Sequence, residues 1–99
     1  MSIVHNTDKK LFTVDVDDDT AYLAYRQADE KTLEFFSTYV PDEFRGKGIA
    51  GRLARTALDY ARDNGYRVQP TCSFVVSFLE KHREYSDILA GSDKDETND

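Results

Sequence analysis

The spacing of apolar residues changes at a glycine-containing segment in the middle of the chain, and this change constrains the fold most. Before the segment, residues 11–16 alternate, so Phe12, Val14 and Val16 share one strand face. After it, across residues 48–64, apolar side chains recur every third or fourth position, as on one side of a helix. The chain is therefore predicted to combine a sheet with a covering helix.

The remaining elements follow from the same patterns. Residues 21–26 and 32–40 are rich in aromatic and β-branched side chains and, with the first strand, predict an antiparallel meander. A fourth strand is predicted over residues 66–71 and a short helix over residues 73–82. The order is β-β-β-α-β-α, so we predict a layered α/β fold with helices packed on a mostly antiparallel sheet.

Length and charge limit the organisation and the partners. With 99 residues the chain has room for one domain, which we expect over residues 1–90, followed by a disordered acidic tail over residues 91–99. The net charge of −6 does not favour a general nucleic-acid binder, because phosphate contacts require positive charge. No apolar run reaches the ~20 residues of a membrane helix, and no signal peptide is evident. We therefore expect a cytoplasmic protein.

A metal site is not predicted. Asp15, Asp17 and Asp19 alternate as at the start of a calcium-binding loop, which needs Gly at its sixth position and Glu at its twelfth. Thr20 and Arg26 occupy those positions, so the run is interpreted as an acidic turn. The single cysteine and the two histidines lack the close spacing of zinc ligands.

The segment where the spacing changes has the composition of an anion site. Gly46 and Gly48 allow a close backbone approach and positive φ. A helix that begins near Gly48 adds unpaired N–H groups and the positive end of its dipole. Arg45, Lys47 and Arg52 add full charges. The residues alone leave two interpretations open: a site for a phosphate-bearing small molecule, or a glycine turn with solvated charges.

The same segment, RGKGIA at residues 45–50, resembles the pyrophosphate-binding motif of the GNAT superfamily of acyl-coenzyme A N-acyltransferases. That pattern is Arg or Gln, two residues, Gly, one residue, and Gly or Ala. The resemblance covers roughly residues 3–89. Within the superfamily, the chain is similar to the short stand-alone branch. Residues 70–75 and 81–85 also resemble that branch.

The resemblance implies a GNAT-like fold and a coenzyme A site. Backbone N–H groups of residues 45–50 are expected to hold the pyrophosphate. The strand ending at residue 40 is expected to diverge from the strand at residues 67–71, with the pantetheine arm in the gap. A backbone N–H group there would polarise the thioester carbonyl. The expected coenzyme A-binding residues are Tyr39, Val40, Arg45, Gly46, Lys47, Gly48, Ile49, Ala50 and Arg52.

Two residues are candidates for catalysis. Cys72 follows the fourth predicted strand, near the expected thioester, and is either a nucleophile or a small apolar residue. Tyr85 is either a general acid for the leaving thiolate, as a tyrosine is in larger members of the family, or a packing residue.

The general base is left open. Ser37 stands where members of the short branch often carry His, which puts a Cys–His mechanism in doubt. A serine is not a base near neutral pH. His82, Glu34 and Glu84 are the remaining candidates.

The leading prediction is an N-acetyltransferase that moves an acetyl group from acetyl-coenzyme A to an amine by direct attack. The alternatives are a non-catalytic coenzyme A-binding module and a partner-binding domain with a structural glycine turn. The expected partner is a small-molecule or protein amine. The expected assembly is a monomer or homodimer.

Overall fold

The computed structural model describes residues 2–90, arranged as a mixed sheet with two helices. The predicted tail at residues 91–99 lies outside the described residues. In the sheet, the strands follow chain order: β1 (Val4–Asn6), β2 (Leu11–Val16), β3 (Asp19–Asp29), β4 (Thr32–Tyr39) and β5 (Arg67–Pro70). The helices are α1 (Ile49–Asp63) and α2 (Ser73–Lys81), and 3-10 turns occupy Asp42–Phe44 and Arg83–Ile88.

The predicted fold class is confirmed, with small differences at the ends of elements. The first four strands pair antiparallel, and β5 pairs parallel with β4. A parallel pair needs a long crossover, which α1 provides. The main omission is β1, which has three residues and is too short to show an alternating pattern. The His5 ring of β1 stacks on Phe12 and its Nε2 lies 2.6 Å from the Tyr25 hydroxyl.

Both helices pack on the same face of the sheet. Leu53, Ala57 and Leu58 of α1 are completely buried against the strands, as the helical spacing predicts. Phe78 of α2 lies against Gly51 of α1, which places the two helices side by side. The largest completely buried side chains of the sheet are Phe12, Leu23, Leu33, Phe35 and Val68.

A bulge in β4 reverses which of its residues face the helices. Tyr25 pairs with Phe35, but Ala24 pairs with Ser37, so Phe36 is an extra residue on β4. A bulge of one residue exchanges the two faces of the strand beyond it.

Thr38, beyond the bulge, faces the helices. Its register partner is Leu23, which is fully buried beneath them. Ser37 and Tyr39 therefore face the opposite side of the sheet, because neighbouring strand residues alternate.

Candidate functional site

A cavity of about 590 Å³ lies between the end of β4 and the first turn of α1. It contains most of the segment that the sequence analysis selected, together with the start of α2. Its lining residues are Thr38, Val40, Phe44, Arg45, Gly46, Gly48, Ile49, Ala50, Gly51, Ser73 and Phe74.

The glycine turn has the backbone conformation that its composition predicts. Gly46 has φ of 84° and Gly48 has φ of 83°, both in the left-handed region. A Cβ atom at either position would meet nothing within 4 Å. Glycine is therefore favoured at both positions by the positive φ and not by a lack of space for a side chain. Gly48 is the N-cap of α1 and provides no side-chain cap. The first N–H groups of α1 are thus available to a ligand.

Two of the three positive charges around this helix start lack local compensation. The first turn of α1 contains no acidic residue. Lys47 and Arg52 make no ion pair within the described part of the chain. Arg45 pairs with Asp42 at 3.3 Å, and its Nε donates to the Val40 carbonyl oxygen at 3.1 Å. Cations near the positive end of a helix are unfavourable unless an anion is present, so this end of the cavity suits an anionic ligand.

Beside the cavity, β4 loses its neighbouring strand. The pairing with β5 ends at Phe35 and Pro70. The N–H groups of Thr71 and Cys72 then both donate to the Phe35 carbonyl oxygen, at 3.1 and 3.2 Å. Residues 36–39 of β4 have no register partner on β5. The divergence implied by the resemblance is therefore present, and it leaves this edge of β4 open to an extended ligand.

Cys72 stands at the start of α2, next to this opening. Its Sγ lies 3.5 Å from Thr38 Oγ1, and the side chain is half-buried. Burial raises the pKa of the Cys72 thiol, but hydrogen bonds from Thr38 and from the Val75 and Phe74 backbone outweigh it and lower the pKa below its usual value. No imidazole or carboxylate within residues 2–90 forms a hydrogen bond with the sulfur.

Tyr85 does not line this cavity. It is buried, its hydroxyl donates to Asp59 Oδ1 at 2.7 Å, and it accepts from Arg55 Nη1 at 3.2 Å. Burial and the hydrogen bond with the Asp59 carboxylate raise the pKa of Tyr85. Its role as a general acid stays a prediction.

The candidate bases lie in different places. His82 stacks on Phe78 with ring centroids 4.0 Å apart, and its Nδ1 lies 3.3 Å from Arg55 Nη2. Glu84 forms an ion pair with the same Arg55 at 3.3 Å. Arg55, Phe78 and His82 line a neighbouring groove between α1 and α2 that also contains Arg52.

Glu34 lies where β4 and β5 part. It accepts a hydrogen bond from the Thr71 hydroxyl at 2.6 Å and pairs with Arg26 Nε at 3.1 Å. Its side chain is 21% exposed.

The comparison with known families agrees with this geometry. The family model for GCN5-related N-acetyltransferases matches residues 11–88. The chain belongs to this family. The match includes the glycine turn and every helix and strand except β1, so the family resemblance inferred from the sequence is confirmed.

Individual relatives give the same result. Protein NATD1 from Bos taurus is 32% identical over 82 residues, which cover 81% of this chain and 73% of that protein. Protein NATD1 from Xenopus tropicalis is 30% identical over 82 residues, covering 81% and 75%. The solution structure of a GCN5-like protein from Staphylococcus aureus superposes with a TM-score of 0.72 at 28% identity, covering 89% of this chain and 86% of that one.

The cavity combines the uncapped start of α1 with an unpaired edge of β4. Sequence reasoning missed Thr38, which contacts Cys72 and lines the cavity. Only the β4 bulge brings Thr38 to the helix side, and no local sequence signal identified that bulge. No group of three or more metal-binding side chains occurs among residues 2–90. None of the helices in that range is long and apolar enough to cross a membrane.

Proposed function

We propose that this chain transfers the acetyl group of acetyl-coenzyme A to an amine. The observation that carries the proposal is the position of two features on one cavity. The uncapped start of α1 suits a pyrophosphate, and the unpaired edge of β4 suits an extended arm with amide groups. When bound, acetyl-coenzyme A supplies an acetyl group activated as a thioester.

The glycine turn and its cations hold the phosphate end. N–H groups of Ile49 and Ala50 point along the axis of α1, where the helix dipole favours negative charge. Lys47 and Arg52 have no ion-pair partner within residues 2–90 and supply charge to the phosphates. Val40 is buried at the cavity wall, and its carbonyl oxygen fixes the Arg45 side chain, so Arg45 shapes the turn.

The opening beside β4 holds the reacting end. A backbone N–H group near Tyr39 and Val40 donates to the carbonyl oxygen on which negative charge develops. The amine nitrogen forms a bond to the acetyl carbon as the carbon–sulfur bond breaks, and the proton lost by the amine is finally taken by the thiolate. Glu34, at the point where the strands part, is the carboxylate that we assign to accept that proton first.

A non-catalytic coenzyme A-binding module is the second candidate. It is favoured by Ser37, which faces away from Cys72, and by His82, which is engaged with Phe78 and Arg55. An assay of acetyl transfer to a panel of amines distinguishes the two functions, because only the transferase releases free coenzyme A in proportion to added amine.

We expect coenzyme A to stabilise the folded chain, and less so at high salt. Stabilisation follows ligand saturation, and the cations at the glycine turn are exposed enough to be screened. A thermal-shift titration with coenzyme A at low and high ionic strength measures both effects. A chain whose melting temperature does not respond at any salt concentration would instead support a partner-binding domain with a structural turn.

We expect Cys72→Ala to bind coenzyme A and to keep its transfer rate within about tenfold, or about 1.4 kcal/mol of barrier. The reason is that Thr38, the side-chain partner of the thiol, is not a base, and direct attack by the amine needs no enzyme nucleophile.

Mass spectrometry after incubation with acetyl-coenzyme A should find no stoichiometric adduct on Cys72. The two-step route would be established by an acetyl-cysteine that an added amine discharges at the turnover rate, with activity lost in Cys72→Ala. Thr38→Val is the matched control for Cys72→Ala. It removes the Thr38 hydroxyl oxygen that accepts the hydrogen bond of the Cys72 thiol, and direct attack predicts that activity remains.

The proposed acceptor is an amine of a small molecule or of a protein. We also propose a cytoplasmic location and a monomer or homodimer, with neither nucleic acid nor membrane as a partner. The acidic net charge of −6 supports the exclusion of nucleic acid.

A further inference from the structure

The sheet face opposite the helices carries two aromatic rings beside the opening in β4. Tyr22 and Tyr39 are register partners, and their ring centroids are 5.6 Å apart. Thr38, the neighbour of Tyr39 in the strand, lines the cavity on the helix side. The cavity and the aromatic pair thus lie on opposite faces of β4, along the residues that have no partner on β5.

Next to the aromatic pair, the β2–β3 hairpin concentrates negative charge. Asp15, Asp17, Asp18 and Asp19 occur within five residues, and none forms an ion pair within residues 2–90. The Tyr39 hydroxyl donates to Asp19 Oδ2 at 3.1 Å, and this hydrogen bond connects the aromatic pair to the hairpin.

On the same face, an aromatic ring and a carboxylate already bind one cation of the chain. The Arg26 guanidinium lies over the Phe36 ring, 4.1 Å from its centroid, and its Nε pairs with Glu34 at 3.1 Å. Aromatic faces attract cations, and a neighbouring carboxylate adds to that attraction. Tyr22, Tyr39 and the hairpin carboxylates offer the same chemistry, and within residues 2–90 no Arg or Lys side chain lies over either ring or pairs with those carboxylates.

We infer that this face binds an acceptor that carries two cationic nitrogens, an inference that rests on the proposed acetyl transfer. One amine enters the opening beside β4, and the second nitrogen lies over Tyr22 and Tyr39 near Asp15 and Asp19. Ser37 lies beside the opening and pairs with Ala24 of β3. Ala24 is four residues along β3 from Thr20, which is the partner of Asp15. At about 3.3 Å per residue that distance is about 13 Å, which suits an extended aliphatic diamine or polyamine.

The variant Asp15→Asn/Asp19→Asn tests the inference with 1,8-diaminooctane and octylamine, which share a carbon chain but differ in the second nitrogen. We expect KM for the diamine to rise about tenfold, since two exposed carboxylates lose their charge. KM for octylamine, and kcat for both amines, should change little. Asp63→Asn/Glu80→Gln removes the same charge from exposed helical positions, and both KM values should stay as in the unaltered chain.

A binding measurement separates this inference from the proposed function. Calorimetric titration of 1,8-diaminooctane into the coenzyme A complex should show binding that weakens in the hairpin variant and persists in the helix variant. Diamine binding without acetyl transfer would refute the transferase and leave the cation-binding face intact. Acetyl transfer with an equal rise in KM for both amines would refute the face alone.

A second copy of the chain is the other occupant that this face could accept. Sedimentation of the unaltered chain, with and without the diamine, tests that alternative. A dimer that the diamine does not dissociate, and that Tyr22→Lys disrupts, would overturn the inference. A monomer under both conditions, with the expected difference in KM, supports it.

Discussion

Gly48→Asp should bind coenzyme A at least about tenfold more weakly, which corresponds to about 1.4 kcal/mol. The substitution puts a carboxylate at the N-cap of α1, where the proposal places a phosphate. Asp is a good N-cap residue and tolerates positive φ better than most residues, so the variant should fold. Isothermal titration calorimetry with coenzyme A measures the loss of affinity.

Gly65→Asp is the matched control. Gly65 follows the C-terminal end of α1, has φ of 77°, and has open space around its Cβ position, as Gly48 has. The control therefore introduces the same side chain into a similar backbone conformation, far along the helix from the turn. Its affinity for coenzyme A should match that of the unaltered chain. Unchanged affinity in a folded Gly48→Asp variant would place the phosphates elsewhere.

The sequence was sufficient to predict β2 to β5, both helices and the glycine turn, because these features depend on local patterns. The alternation of apolar and polar residues predicted β2. The helical spacing of apolar residues after Gly48 predicted α1 and its buried face. Gly46 and Gly48 were expected at positive φ, and both have it. These features depend on the preferences of neighbouring residues, which a single sequence contains.

The contacts within the site were not predictable in the same way. Simple alternation from Leu33 and Phe35 would place Ser37 on the helix side, but the bulge at Phe36 places Thr38 there. A bulge is determined by pairing with β3 and by packing across the sheet, which are long-range. The pairing of Tyr85 with Asp59 depends likewise on how the segment after α2 packs against α1.

Phe35→Ala should lower the free energy of unfolding by about 3–5 kcal/mol, the usual cost of removing a large buried aromatic ring. Phe35 has no exposed surface and lies at the last β4–β5 pair, where its carbonyl oxygen accepts the Thr71 and Cys72 N–H groups. A cavity there removes packing at the point from which the two strands diverge. Urea denaturation of the variant measures the loss, and an unchanged slope shows that the denatured state is comparable.

Phe36→Ala makes the same change one residue along the strand, on the face that the helices do not cover. The Phe36 ring is half-buried and contacts the Arg26 guanidinium, an interaction worth about 0.5–1 kcal/mol at an exposed site. Its loss of stability should therefore be well below that of Phe35→Ala. Equal losses would contradict the placement of Phe36 on the open face, because they would mean that both rings lie in the core. A small loss for Phe36→Ala beside a large one for Phe35→Ala would support the placement of the Phe35 ring in the core and of the Phe36 ring on the open face.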